Sequence, residues 1–319
     1  MRALKAPTEQ WIALDAPAKL NLSLAVLARR PDGYHDIESL MVGVTLGDTL
    51  AIRARDERGV KLTVHYGPVL AGTPLARDVP VGQENLAVRA AETLADAAGV
   101  DRGLEITLVK RVPAGAGLGG GSSDAAAVLR GAAAAWGLDW SRERLAAIGA
   151  TIGSDVPFFL GDGPAIARGR GERLEPVAGI PPLPAVIACP GTGLSTAAVY
   201  GACTPVASHR GAAARLADAL VSGGLRGALP LLVNSLEEPA RRLCPDVDRL
   251  LAALAHAGAV GPRLTGSGSA CFALARTAPE ARGIAARLAA ARGPDGRRLW
   301  PGVFTVRLTT DMGGRMGAG

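Results

Sequence analysis

Lys110-Arg-Val-Pro-Ala-Gly-Ala-Gly-Leu-Gly-Gly-Gly-Ser-Ser-Asp124 lies between a strand-like apolar run, Leu104 to Val109, and an alanine-rich, helix-like run, Ala125 to Trp136. Glycine lets backbone N–H groups approach a ligand with no Cβ in the way. The two serines are placed to cap the following helix, whose N-terminus carries partial positive charge. A loop so built cradles anions, phosphate above all. Valine at Gly119 or Gly120 is therefore expected to block phosphate while leaving the fold intact.

Two familiar phosphate loops do not fit. A Walker A loop needs a lysine directly before the serine, and Gly121 stands there. Gly115-x-Gly117-x-x-Gly120 has the dinucleotide spacing, but that fingerprint requires a second strand after the helix. Here Gly137-Leu-Asp-Trp-Ser141 leads into another helix, Arg142 to Ile148. A Rossmann oxidoreductase is disfavoured on that context.

Working outward, Trp11 to Asp15, Leu20 to Leu27, Glu38 to Val44 and Asp48 to Arg55 read as strands. The last two are joined by a turn at Gly47-Asp48. Val60 to Tyr66 alternates as a further strand, and Gly67 to Gly82, rich in proline and glycine, reads as a surface excursion. Asn85 to Ala98 has helical periodicity with Gly99 as its stop. Ala165 to Arg168 and Arg173 to Val177 form a hairpin. Gly179-Ile-Pro-Pro-Leu-Pro184 is the best domain boundary, dividing the chain into 1–178 and 179–319. Beyond it come a strand at Ala185 to Cys189 and helices at Ser195–Cys203, Ala212–Val221, Pro245–His256 and Glu280–Arg292. Strands flank Gly266-Ser-Gly-Ser269, a last strand runs from Gly302 to Leu308, and the tail Met312–Gly319 reads as frayed. The mixture is α+β, without the alternation of a doubly wound fold.

Composition narrows the function classes. Of the 319 residues 48% are hydrophobic but only 3% aromatic, so the core rests on Ala, Val, Leu and Ile. The net charge of +6 is spread over scattered arginines, without the basic stripe and stacking aromatics of a nucleic-acid binder. That pattern suits anionic small molecules and disfavours an RNA-binding module. Cysteines 189, 203, 244 and 271 have no zinc or dithiol spacing. With no signal-like start and no apolar run of membrane length, the expectation is a cytoplasmic protein with no membrane partner.

Four segments then carry a family resemblance: Ala16-Pro-Ala-Lys-Leu-Asn21, Arg30-Pro-Asp-Gly-Tyr-His35, the glycine loop with Gly153-Ser-Asp-Val-Pro-Phe-Phe159, and Leu264-Thr-Gly-Ser-Gly-Ser269. In this order the chain resembles the GHMP kinases, small-molecule kinases that include homoserine and mevalonate kinases. Pro-Ala-Lys-Leu-Asn and Asp-Gly-Tyr-His resemble most the branch that phosphorylates a cytidine diphosphate sugar alcohol for isoprenoid synthesis. The resemblance implies a two-domain fold, ribosomal-protein S5-like then ferredoxin-like, with the site in the cleft between the domains. It implies ATP with a divalent metal such as Mg2+, and transfer to a 2-hydroxyl.

Phosphoryl transfer to an alcohol needs a triphosphate cradle, charge neutralisation and a group to accept the hydroxyl proton. Asp155 is the candidate acceptor, although Asp before Val-Pro-Phe-Phe is equally a good helix cap. Lys19 opens an apolar strand, either as an edge-guarding lysine or as the cationic partner that the resemblance assigns to Asp155. Asn21, two residues on, shares its face and is a candidate for the substrate hydroxyls. Tyr34 and His35 suit a pyrimidine's face and polar edge. By resemblance Thr196 and Tyr200 contact the cytidine, Tyr200 as the second slice of a cytosine sandwich. Asn85, Leu86 and Lys110 fall on the adenosine side. The cradle is Pro113, Gly115, Gly117, Leu118, Gly119, Gly120 and Gly121, with Ser122 or Ser123 toward phosphate and metal. Asp124 would repel phosphate and should point away; it is not a metal ligand, and no metal ligand is assigned.

Overall fold

The computed structural model describes residues 10–312 and the backbone of 317–318. The N-terminal residues bearing on a leader lie outside the described residues. In chain order the elements are β1 (Ile12–Arg29), β2 (His35–Arg55), β3 (Val60–Tyr66), α1 (Leu86–Ala98), β4 (Gly103–Lys110), α2 (Gly120–Ala135), α3 (Arg142–Ile152), α4 (Val156–Leu160), β5 (Ala165–Gly169) and β6 (Arg173–Pro176). There follow β7 (Pro184–Cys189), α5 (Thr196–Gly201), α6 (Ala212–Ala228), α7 (Glu237–Leu243), α8 (Pro245–His256), β8 (Arg263–Leu264), β9 (Cys271–Leu274), α9 (Ala278–Ala290), β10 (Gly302–Thr309) and β11 (Gly317–Ala318).

β2 is the hub. It pairs along its length with β1, through residues 49–55 with β4, and through 37–41 with β5. At Val44 and Gly43 it meets the end of β10, whose other edge pairs with β7. One path, β11-β1-β2-β10-β7-β9-β8, therefore crosses both halves of the chain. Helices α1 to α4 cover the first half over a core of Leu14, Ile52, Leu94, Leu129 and Phe158. A second core joins the halves, with Leu20, Leu40 and Val42 packed among Ile187, Phe272 and Leu308. A third packs α7, α8 and α9 onto the second half.

The segments read as two strands around residue 17 are one strand. β1 bends through register shifts at Pro17/Lys19, Asn21/Ser23 and Val26/Ala28, bulges of the kind that re-aim side chains. The turn expected at Gly47-Asp48 is likewise absent, and the strand runs through it. Gly47 sits opposite Pro17, and a Cβ there would stand 2.9 Å from the Ala16 carbonyl oxygen. This is a strand glycine for close backbone approach, not a turn glycine.

Two further expectations need correction. The Gly67–Gly82 stretch is no mere excursion, because Leu70 and Leu75 are buried in the joining core and the Tyr66 hydroxyl bonds the Arg77 carbonyl. The tail is anchored where described: Met312 is buried, and β11 pairs with Ile12 and Ala13; residues 313–316 and 319 lie outside the described residues. α7, an element not expected from the sequence, has its start signals in Asn234, whose Oδ1 accepts from the Leu236 N–H at 2.9 Å, and in Glu237 and Glu238 of its first turn.

Gly47→Val should lower folding stability by about 2 kcal/mol or more, because the neighbour that must move is backbone. Urea denaturation checks this; unchanged stability would refute the close approach.

Candidate active site

The glycine loop is held from three sides before it meets any ligand. At its start, Asp48 Oδ1 accepts from the backbone N–H of Val112 at 2.8 Å and of Arg111 at 2.5 Å. In its middle, the Leu118 carbonyl accepts from the Lys19 backbone N–H at 2.9 Å, and the Ala116 carbonyl from the Ala270 N–H at 3.1 Å. At Gly117 it lies on the second small-residue loop: an added Cβ would stand 2.3 Å from the Thr265 carbonyl oxygen. Gly117 also has φ of +80°, a second reason for glycine there.

Helix α2 starts earlier than its alanine run suggests. Gly119, in the left-handed region at φ +71°, is the N-cap and offers no side-chain bond. The expectation that the serines cap the helix is thus overturned, since Ser122 and Ser123 lie inside its first turn. The consequence favours anion binding: the N–H groups of Gly120, Gly121 and Ser122 are left without intrahelical partners. Ser122 lines the cleft, whereas Ser123 is buried and its Oγ has no hydrogen-bond partner.

Asp124, which borders the same cleft, is buried and held in an ion group. Lys110 Nζ donates to Asp124 Oδ2 at 2.7 Å and also to Asp48. Burial works against the Lys110 ammonium, but Asp124 and Asp48 hold its pKa well above the usual value. Burial pushes the Asp124 carboxyl up, Lys110 opposing and Asp48 adding to the rise.

Lys19 and Asp155 come together across the fold. Their Nζ and Oδ2 are 3.6 Å apart, with the lysine buried and the carboxylate about a third exposed. Asn21 Oδ1 takes a second Lys19 bond at 2.5 Å, and Asn21 Nδ2 donates to Ser39 Oγ at 2.7 Å. Both Asn21 polar atoms are thus engaged in holding the lysine. Asp155 occupies the N-cap position of α4 but its side chain makes no capping bond. Asn85 does cap: its Oδ1 accepts from Ala87 N–H at 2.9 Å, and its Nδ2 donates to the Pro80 carbonyl at 2.7 Å.

At the other end, His35 and Tyr200 approach with ring centroids 5.4 Å apart, and the Tyr34 ring is exposed. Burial, then the charge of Arg29, pushes the His35 imidazole below its usual value. Burial and the field of Asp155 raise the Tyr200 phenol. Thr196 Oγ1 lies 2.9 Å from Ser267 Oγ.

The site residues expected from the sequence, all except Ser123, line one cleft of about 1000 Å³. It also takes in Arg29, Asp78, Val79, Ser154, Arg170 and Ser267, which sequence reasoning did not single out. For Asp78 and Val79 a signal existed, the hydroxyl of Tyr66 next to a proline-rich stretch. For the arginines there was none. Among the described residues no cluster of three or more His, Cys, Asp or Glu is placed to hold a metal ion.

Two family models match the chain: GHMP kinases N terminal domain over residues 85–163 and GHMP kinases C terminal over 206–295. A 4-diphosphocytidyl-2-C-methyl-D-erythritol kinase from Pelotomaculum thermopropionicum is 42% identical, covering 92% of this chain and 98% of that protein. The chain belongs to the GHMP kinases. A kinase of the same name from Anaeromyxobacter dehalogenans is 44% identical over 85% of this GHMP kinase and 82% of its own length. The solved 4-(cytidine 5'-diphospho)-2C-methyl-D-erythritol kinase superposes with a TM-score of 0.73 at 38% identity, covering 93% and 98% of the two chains. Homoserine kinase from Cytophaga hutchinsonii, TM-score 0.70 at 22% identity over 99% and 100%, shares the fold. This GHMP kinase is accordingly an ATP-dependent small-molecule kinase with a two-domain α+β fold.

The geometry redirects the test of the cradle. A Cβ at Gly119 would meet the Phe159 ring at 2.9 Å, and one at Gly120 would meet Val112 at 3.0 Å. Valine at either position therefore disturbs packing before it disturbs phosphate. At Gly121 the nearest atom to an added Cβ is Leu86 Cδ1, at 3.7 Å. Gly121→Val should keep the melting temperature and weaken ATP binding roughly tenfold or more, by crowding the N–H groups at the helix start. Calorimetric ATP titration of the folded variant checks this; unchanged affinity would remove the loop from the nucleotide site.

Proposed function

We propose that this kinase transfers the γ-phosphoryl group of ATP to the 2-hydroxyl of 4-diphosphocytidyl-2-C-methyl-D-erythritol, giving the 2-phosphate and ADP. The observation that carries the reading is the Lys19–Asp155 pair in the same cleft as the glycine loop. The names of the relatives, at about 40% identity over most of the chain, supply the acceptor.

In this reading the first-turn N–H groups of α2 and the Ser122 hydroxyl hold the triphosphate, with Pro113 to Gly121 as its bed. Asn85, Leu86 and Lys110 frame the adenosine. Asp155 accepts the proton as the 2-hydroxyl oxygen attacks the γ-phosphorus and the bond to the β-phosphate oxygen breaks. Lys19, held by Asn21, keeps a positive charge beside the oxygen on which negative charge builds. Tyr34, His35, Thr196 and Tyr200 bind the cytidine. A neutral His35 suits the polar edge of cytosine, and its depressed pKa keeps it neutral at pH 7.

The donor set does not fit a resident metal centre. A magnesium ion would arrive on the nucleotide, toward the Ser122 side of the cleft, and would supply neutralisation of phosphate charge. We place the ATP-binding half at 1–178 and the substrate-side half at 179–319. No helix among the described residues is long and apolar enough to cross a membrane, and the four cysteines are buried and unpaired.

ADP release should be fast with the cytidine diphosphate sugar alcohol and absent with free methylerythritol phosphate, homoserine and mevalonate. Equal turnover of the free phosphate would sink the acceptor assignment. Asp155→Asn and Lys19→Met should each lower kcat by roughly 10²-fold or more with little change in ATP affinity. Because Asp155 makes no capping bond, the Asp155→Asn melting temperature should stay near wild type. A near-normal kcat in that variant would rule out its role as base.

A further inference from the structure

Four arginines border the Tyr34–His35 end of the cleft, and they divide in two. Arg30 is paired with Asp32 and Asp36, and Arg168 with Glu38 and Glu175. Their chain neighbours Arg29 and Arg170 form no ion pair among the described residues, and it is these two that line the cleft. The Arg170 guanidinium carbon sits 4.9 Å over the Tyr34 ring, a stacked placement that fixes the side chain beside the exposed aromatic. Arg29 is near enough to His35 for its charge to help depress the imidazole, after burial.

Asp32 is the carboxylate that feels Arg170, but its oxygens are taken by Arg30 Nε and by the Tyr34 backbone N–H. Two uncompensated guanidinia thus flank the pair of rings offered to the base. The phosphate cradle of the nucleotide is built by other elements, from backbone N–H groups at the start of α2. Guanidinium presents a planar fork of donors matched to phosphate oxygens.

We propose that Arg29 and Arg170 bind the diphosphate of the acceptor's cytidine handle and so set the preference for a nucleoside diphosphate over a bare nucleoside. This rests on the acceptor named above.

The test is direct binding of cytidine, CMP and CDP to the full-length enzyme by calorimetry, alongside kinetics on the cytidine diphosphate sugar alcohol. Wild type should bind CDP tighter than cytidine. Arg29→Ala and Arg170→Ala should each weaken CDP roughly tenfold, the usual scale for a lost charge-assisted hydrogen bond. Cytidine affinity, the KM for ATP and kcat at saturation should stay within about twofold. Arg170→Lys should recover part of the CDP affinity. Variants that keep the wild-type gap between CDP and cytidine would overturn the proposal. So would a parallel loss of cytidine and CDP affinity, which means packing on Tyr34, or a shift confined to ATP. If wild type binds CDP no tighter than cytidine, the arginines are not diphosphate ligands even where the alcohol is turned over. If wild type prefers CDP but does not phosphorylate the alcohol, the acceptor assignment fails while the diphosphate site stands.

Discussion

Everything at this site depends on two backbones lying in contact at Gly117. The glycine loop belongs to the first half of the chain and the Thr265–Ser269 loop to the second. They meet where a single methyl group would stand 2.3 Å from a carbonyl oxygen. The same stretch receives Lys19 through the Leu118 carbonyl and Ala270 through the Ala116 carbonyl. The glycine loop, Lys19 and the second half are therefore located by one set of close approaches between residues that have almost no side chains.

Charge is organised around that contact in two tiers. In the buried tier, Asp48 takes two N–H groups at the loop's start and one bond from Lys110, which also neutralises Asp124. Carboxylates so close to a phosphate cradle would repel its ligand; paired with an ammonium inside the protein, they anchor the loop instead. In the second tier, buried Lys19 faces the part-exposed Asp155 with Asn21 and Ser39 behind it. Asn21 is thus a support for the lysine.

What the sequence disclosed, it disclosed through local geometry. The glycine loop, Asn85 and Gly99 at the two ends of α1, and the hairpin of β5 and β6 are short-range features that residue type and spacing encode. What stayed hidden depended on partners far along the chain. Gly47 has the look of a turn residue, and only its pairing with Pro17 makes it a strand residue. Asp48 looks like the rest of that turn, while its actual partner is Lys110, 62 positions away. The serines of the loop looked like caps because the sequence cannot tell that Gly119 adopts the left-handed conformation. Arg170 was one arginine among many until the fold brought it over Tyr34.

The place of β10 in the sheet has a consequence for how the molecule comes into being. It is the strand between β2 and β7, yet it leaves the ribosome long after both. Until it emerges, β7 and the short Gly43–Val44 stretch of β2 lack their partner, and the joining core lacks Phe304, Val306 and Leu308. A nascent chain in that interval holds a nearly finished first half beside an unsealed second one, the kind of intermediate that chaperones shelter. The joining core is closed late in synthesis, when that one strand slots between its two neighbours.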